Sequence, residues 1–145
     1  MSQISKHAAA HSSALLEHAY QRYCGLELLE QSPGACTCRL RVTEAIDNLS
    51  HTLHGGVIYS MLDVVSMLAT LPILGPEEYA LTSSFNTMLM SASPLHSELE
   101  FKARVIRDGR NLIFTQADAW RLNADGSRTQ VASAQLTKFR LKHQW

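Results

Sequence analysis

The stretch Asn48-Leu-Ser-His-Thr-Leu-His54-Gly55-Gly56, followed without a break by Val57-Ile-Tyr-Ser-Met-Leu-Asp63-Val-Val-Ser-Met-Leu-Ala-Thr70, decides how this chain folds. A polar loop ends in His-Gly-Gly. An almost wholly apolar segment carrying one carboxylate follows it. Val57, Ile58, Met61, Leu62, Val65 and Leu68 recur at intervals of three and four, which is helical periodicity. Val64 and Met67 make the other side apolar too, and a helix apolar nearly all round is a buried one. Pro72 and Gly75-Pro76 end it. An α-helix turns ~100° and rises ~1.5 Å per residue, so the step from His54 to Asp63 covers ~13 Å and leaves the two on opposite faces. A small substrate held within one subunit does not reach both. Either Asp63 is an incidental buried acid, or two copies of this helix share each site.

Working outward, His7 to Tyr23 is Ala-rich, with Leu15, Leu16, Ala19 and Tyr23 at helical intervals, and reads as a first helix. Gly25–Leu29 and Ala35–Val42 read as two strands around the turn signal Ser32-Pro33-Gly34. Thr43–Leu53 is a polar loop. After the apolar helix the period changes to two. Glu98, Glu100, Lys102 and Arg104 alternate with Leu99, Phe101, Ala103 and Val105, the pattern of a half-exposed strand. Asp108-Gly109 and Asp125-Gly126 are hairpin signals. The segments Tyr79–Met90, Leu99–Arg107, Leu112–Leu122 and Arg128–Leu141 are thus four strands in sequence. One apolar helix with a long antiparallel sheet is an α+β layer arrangement.

Composition narrows the class. The 145 residues fit one domain, residues 1–145, large enough for one sizeable core. Lys plus Arg and Asp plus Glu are both 13, and this balance lacks the basic field of a nucleic-acid or membrane-surface binder. Three cysteines, an odd number, do not make a disulfide framework. Cys36 and Cys38 share a strand face and read as small core residues. The N-terminus has no apolar run of signal-peptide type, and the apolar run Val57–Leu74 is interrupted by Asp63 and Pro72 and lacks basic flanks. It reads as a core helix rather than a membrane span, and the expected location is cytoplasmic.

The order Asn48, five residues, His54-Gly55-Gly56, six residues, Asp63 resembles the pattern of hotdog-fold acyl-CoA thioesterases of the phenylacetate-degradation (PaaI-like) type. The likeness extends, more weakly, from about Tyr23 to Leu141. Thr82 stands where that family opens a strand with Thr, although Leu81–Ser91 is more polar than the family's strand and Pro94 falls slightly late. The resemblance implies a hotdog fold, in which a long antiparallel sheet wraps a central helix. It also implies hydrolysis of acyl-CoA, no cofactor and no metal, and a homodimer or a homotetramer built as a dimer of dimers.

The chemistry of the residues fits that implication. A carboxylate on an apolar helix is desolvated, which favours its neutral form, and a base poised nearer neutrality suits activation of water. The resemblance gives Asp63 the role of general base or nucleophile, with Thr82 assisting; an ordinary strand Thr is the plain alternative. Glycines at a helix start let a ligand approach the backbone, where the first N–H groups lack partners and the dipole is positive. The Gly55 N–H is thus a candidate oxyanion donor, with Gly56 beside the substrate. A tight loop-to-helix turn would explain both glycines equally. His54 orients the loop or polarises the thioester carbonyl. The resemblance gives Asn48 the positioning of the attacking water or the thioester; an Asx-turn after Asp47 is the plain alternative.

Met61, Met88 and Met90 are candidates for an adaptable acyl channel, against plain core packing. Arg104 and Arg110 are candidates for the CoA phosphates, as are Arg107, Lys138 and Arg140; solvated strand ends are the alternative. His7, His11 and His18 share a helix face without a further ligand, so no metal site is expected. Two other functions stay open: hydration or dehydration of acyl thioesters, whose hotdog enzymes carry a different His motif, and non-catalytic acyl-CoA binding.

Overall fold

The structure, a computed structural model, describes residues 3–142. The apolar periodicity around Asp63 becomes α3 (Gly55–Thr70), which continues into a single 3-10 turn at Leu71–Ile73. Six strands form one antiparallel sheet: β1 (Glu27–Ser32), β2 (Ala35–Arg41), β3 (Glu78–Leu89), β4 (Glu98–Asp108), β5 (Leu112–Leu122) and β6 (Arg128–Lys142), in spatial order β1-β2-β4-β5-β6-β3. The helix α3 lies across one face of this sheet, packed chiefly on β2, β4 and β5. This is the hotdog arrangement that the family resemblance implied, and the α+β layering that the periodicity indicated. Gly55–Ile73 has the length and hydropathy of a membrane span, yet here it is the core helix.

Strand alternation supplies the core. Leu99, Phe101 and Ala103 of β4, Ile113, Ala117 and Ala119 of β5, and Ala132, Ala134 and Leu136 of β6 are all buried. With Met61, Leu62, Val65 and Leu68 of α3 most of them form one continuous cluster. Cys36 and Cys38 lie in it with their Sγ atoms 3.8 Å apart, and all three cysteines are free. The contact with Cys36, and then burial, push the Cys38 thiol far up, so it stays protonated and inert.

Hairpin chemistry closes the sheet as read. At Gly109 a Cβ would meet the Leu112 carbonyl oxygen at 2.4 Å, so only glycine fits that turn. A feature hidden from simple alternation is a bulge in β3 between Thr82 and Ser84. It shifts the register so that Thr82 and Phe85, which strict alternation would put on opposite faces, both meet the helix.

Boundaries near the N-terminus differ from expectation, including the end of the first strand, which lies at Ser32 rather than Leu29. The first helix is two, α1 (Lys6–Leu16) and α2 (Ala19–Cys24), because the chain turns extended at His18. The Gln21 side chain donates to the Leu15 carbonyl at 2.9 Å and caps the break. The first strand begins at Glu27 rather than Gly25, since Gly25, in the left-handed region, terminates α2.

The far end of α3 is held by an exchange that the sequence conceals. Pro72 has no N–H to give the Leu68 carbonyl four residues back. Gln31 of β1 supplies the missing donor, its Nε2 lying 2.7 Å from that carbonyl and 2.8 Å from Ser12 Oγ of α1. Gln31→Leu should lower the free energy of unfolding by about 1–3 kcal/mol, because it strands a buried carbonyl. Urea titration monitored by circular dichroism reads the change, and turnover per folded molecule should stay unaltered.

Candidate active site

The helix N-terminus is built by the loop before it. Asn48 Oδ1 accepts from the N–H groups of Ser50 (3.0 Å) and Thr52 (3.2 Å), and its Nδ2 donates to Thr52 Oγ1 at 3.0 Å. This is the Asx-turn reading. An amide carries two N–H donors, so a second remains for a ligand. His51 takes a positive φ of 56°, a costly backbone for a non-glycine residue. Backbone bonds from Leu53 to Ser93, from Leu95 to His51 and from His54 to Ile46 pin the loop. Asp47, Asn48, Leu49, Ser50, His51 and His54 line an open depression of about 780 Å³.

His54 is the N-cap of α3. Its Nδ1 accepts from the Gly56 N–H at 2.9 Å. A neutral imidazole accepting at Nδ1 carries its proton on Nε2, so the outer nitrogen of His54 is a donor. The Val57 and Ile58 N–H groups both go to the His54 carbonyl. Of the first helical N–H groups, only that of Gly55 has no partner among the described residues. The positive helix end therefore presents one free backbone donor, at Gly55, while Gly56 holds the histidine.

Asp63 lies two turns along. Its side chain is 45% exposed, so the desolvated acid expected from the sequence is not what this single chain contains. The helix is not covered all round. Gly56, Tyr59, Ser60, Asp63, Val64 and Met67 form a stripe left partly open. β3 borders it through Phe85, whose ring meets Tyr59 edge-on with centroids 6.2 Å apart, and α2 borders it through Tyr20, hydrogen-bonded to Ser60 at 2.8 Å. Thr82 Oγ1 donates to Asp63 Oδ1 at 2.7 Å. Lys138 Nζ, wholly buried, donates to Thr82 Oγ1 at 2.8 Å and lies 3.4 Å from Asp63 Oδ1.

The expected residues thus fall into separate groups. Asn48, His54, Gly55 and Gly56 gather at the helix start, and Asp63 pairs with Thr82. From Gly55 to Asp63 is ~12 Å along the axis at ~1.5 Å per residue, too far for one thioester carbonyl. The other candidates move away. Met61 is fully buried in the core, fixed there by helical phase, and lines no channel in this chain. Met88 points to the opposite face of the sheet, paired with Ser133 and 67% exposed. Met90, just beyond β3, is exposed.

Arg104 and Arg110 are exposed on the face and hairpin away from α3, and neither is brought near Asp63 or Gly55. Arg110 lines, with Arg107 and Phe114, a groove of about 690 Å³ there. Arg140 is committed to Glu78 and Asp108. Lys138 is no phosphate ligand but the partner of Thr82 and Asp63. Its inward place was available from the alternation Ala132, Ala134, Leu136, Lys138. Among the described residues no cluster of His, Cys, Asp and Glu suited to a metal occurs.

A family model described as the thioesterase superfamily matches residues 50–126. The human acyl-coenzyme A thioesterase 13 is 30% identical over 102 residues, spanning 68% of this chain and 71% of that protein. A thioesterase family protein from Silicibacter pomeroyi superposes with a TM-score of 0.85 at 20% identity, covering 93% of this chain and 98% of the other. The E. coli PaaI protein superposes with a TM-score of 0.82 at 18% identity, covering 97% and 98%. These two structural likenesses carry the fold.

The two glycines differ in what they tolerate. A Cβ on Gly56 would stand 3.1 Å from His54 Nδ1, whereas one on Gly55 meets Leu89 Cδ1 at 3.4 Å and Tyr59 Cε2 at 4.0 Å, both at side-chain ends. Gly55→Ala should therefore gain part of the ~1 kcal/mol that alanine holds over glycine in a helix. Gly56→Ala should displace the His54 ring and forfeit a cap worth ~1 kcal/mol. In thermal melts Gly55→Ala should lie at or above wild type and Gly56→Ala below Gly55→Ala.

Proposed function

This chain belongs to the thioesterase superfamily, whose chemistry is thioester hydrolysis, and on that premise we propose that it hydrolyses acyl-CoA to the free acid and CoA, at a site shared between two subunits. The observation carrying the reading is that α3 bears two reactive features, an open Gly55 N–H and a half-exposed Asp63 anchored by Thr82, at places one carbonyl cannot join. One subunit supplies Asn48, His54 and Gly55, and its partner supplies Asp63 and Thr82. The open stripe along α3 and the exposed apolar side chains of Leu81, Met88 and Leu89 on the edge strand β3, whose outer side has no neighbouring strand among the described residues, fit coverage by a second copy. A homodimer is the minimal unit of this reading, and a tetramer is two such dimers.

In the reaction, the thioester oxygen rests against the Gly55 N–H, with His54 Nε2–H as a second donor. As charge develops on that oxygen, the helix end stabilises it. Asp63 either takes a proton from the attacking water, which gives the free acid directly, or attacks the carbonyl carbon itself, forming a mixed anhydride that a water must later hydrolyse to release the acid and restore the carboxylate. In either case the carbon–sulfur bond breaks and the CoA thiolate leaves. Oδ1 of Asp63 is engaged by Thr82, so Oδ2 is the reacting oxygen. No metal or organic cofactor has a part in this scheme.

Release of free thiol from a panel of acetyl- to palmitoyl- and aryl-CoA thioesters tests it. Turnover on none of them, with binding retained, would replace hydrolysis by acyl-CoA binding. Water addition to an enoyl-CoA without thiol release would replace it by hydration. Asp63→Asn should cut turnover by ~10²-fold or more while the chain stays folded. Mixed His54→Ala and Asp63→Asn subunits should regain activity that neither has alone, through heterodimers holding one intact site. A fully active monomer in sedimentation at assay concentration contradicts the shared site.

A further inference from the structure

A wholly buried lysine is a costly thing for a fold to keep. Lys138 Nζ sits among the inward residues of β6, with no exposure to solvent. An isolated buried ammonium is strongly disfavoured unless it is paired and hydrogen-bonded. Here its described partners are Thr82 Oγ1 at 2.8 Å and Asp63 Oδ1 at 3.4 Å. The three groups form an ordered chain. The ammonium donates to the threonine oxygen, so the hydroxyl must turn its one proton outward, and that proton goes to Asp63 Oδ1 at 2.7 Å. Without the lysine the hydroxyl is free to rotate and accept instead of donate.

We propose that Lys138 is a positioning residue for thioester hydrolysis: through Thr82 and by its own charge it locks the Asp63 carboxylate with Oδ1 turned inward and Oδ2 turned to the substrate. The inference rests on the reading of Asp63 as the reacting carboxylate. Burial pushes the Lys138 ammonium below its ordinary value, and the nearby Asp63 charge and hydrogen bond oppose that shift. The pair is asymmetric. The lysine is fully enclosed while the carboxylate keeps 45% of its side-chain surface in the open. Removing the cation therefore leaves a carboxylate that water can still solvate.

That asymmetry separates a positioning role from a packing role. Lys138→Met fills the same volume without the desolvation cost, and apolar replacement of buried ions is often neutral or stabilising. It should melt at or above wild type. Its kcat should nevertheless fall by at least about tenfold, with KM within about threefold, the signature of an interaction lost in the transition state. Lys138→Gln, which keeps a donor for Thr82 and loses the charge, should lose kcat to a similar degree, and it is the variant read if Lys138→Met does not fold.

Asp63→Asn is assayed in parallel. If Asp63→Asn is inactive and either folded Lys138 variant keeps kcat within about twofold of wild type, the assignment of Lys138 is overturned while that of Asp63 stands. If Asp63→Asn itself is fully active, both fall. A Lys138→Met protein that melts lower yet turns over normally marks a packing role and also overturns the proposal.

Discussion

A helix that is apolar on nearly every side has to be covered from more than one direction, and the rest of this structure follows from that requirement. The sheet covers the side of α3 that carries Met61, Leu62, Val65 and Leu68. Burying a side chain of this kind is worth ~1.5–3 kcal/mol, so the helix–sheet contact is the main adhesive of the fold. Segments from the N-terminal part close in at the margins, Tyr20 onto Ser60 and Gln31 onto the Leu68 carbonyl. What remains is one narrow open stripe, and the only carboxylate of the helix stands in it. The same constraint that builds the core therefore delivers Asp63 to a surface rather than burying it.

The two reactive features of α3 have different physical origins. At its start, the donor is a property of the backbone. His54 takes the Gly56 N–H, the His54 carbonyl takes those of Val57 and Ile58, and Gly55 is left with a free donor at the positive end of the helix. Farther along, the carboxylate depends on side chains from β3 and β6: the bulge in β3 lets Thr82 share the helix face with Phe85, and the alternation of β6 turns Lys138 inward. The first feature is local in sequence and the second is assembled from three distant segments.

This difference explains what could be read from the residues alone. The helix, the later strands and both Asp-Gly hairpins were legible because hydrophobic period and turn chemistry are local. His54, Gly55 and Asp63 were legible as a spacing, helped by family likeness. The exposure of Asp63 was not, because it depends on which side of the helix the sheet leaves open. The acyl channel read from Met61, Met88 and Met90 does not form within the single chain, for a related reason. Helical phase sends Met61 into the core, and the register of β3, set by its bulge, sends Met88 to the far face. The break between α1 and α2 carries no proline or glycine at His18 to announce it. Lys138 was the instructive case. Period-two alternation with Ala132, Ala134 and Leu136 marks it as inward, yet its charge invited a surface role.

The strand order has a consequence for how the chain comes into being. β2 pairs with β4, and β3 pairs with β6, the last strand to be made. When α3 leaves the ribosome, only β1 and β2 of its covering sheet have preceded it. Some forty residues separate the end of the helix from the end of β4, the first later strand to pack heavily against it. During synthesis the most apolar segment of the protein therefore waits uncovered, and the edge strand β3 waits longer still for a neighbour. Non-local pairing of this kind makes folding slow and the nascent chain prone to aggregate. The sheet that covers the helix is complete only once β6 has been made.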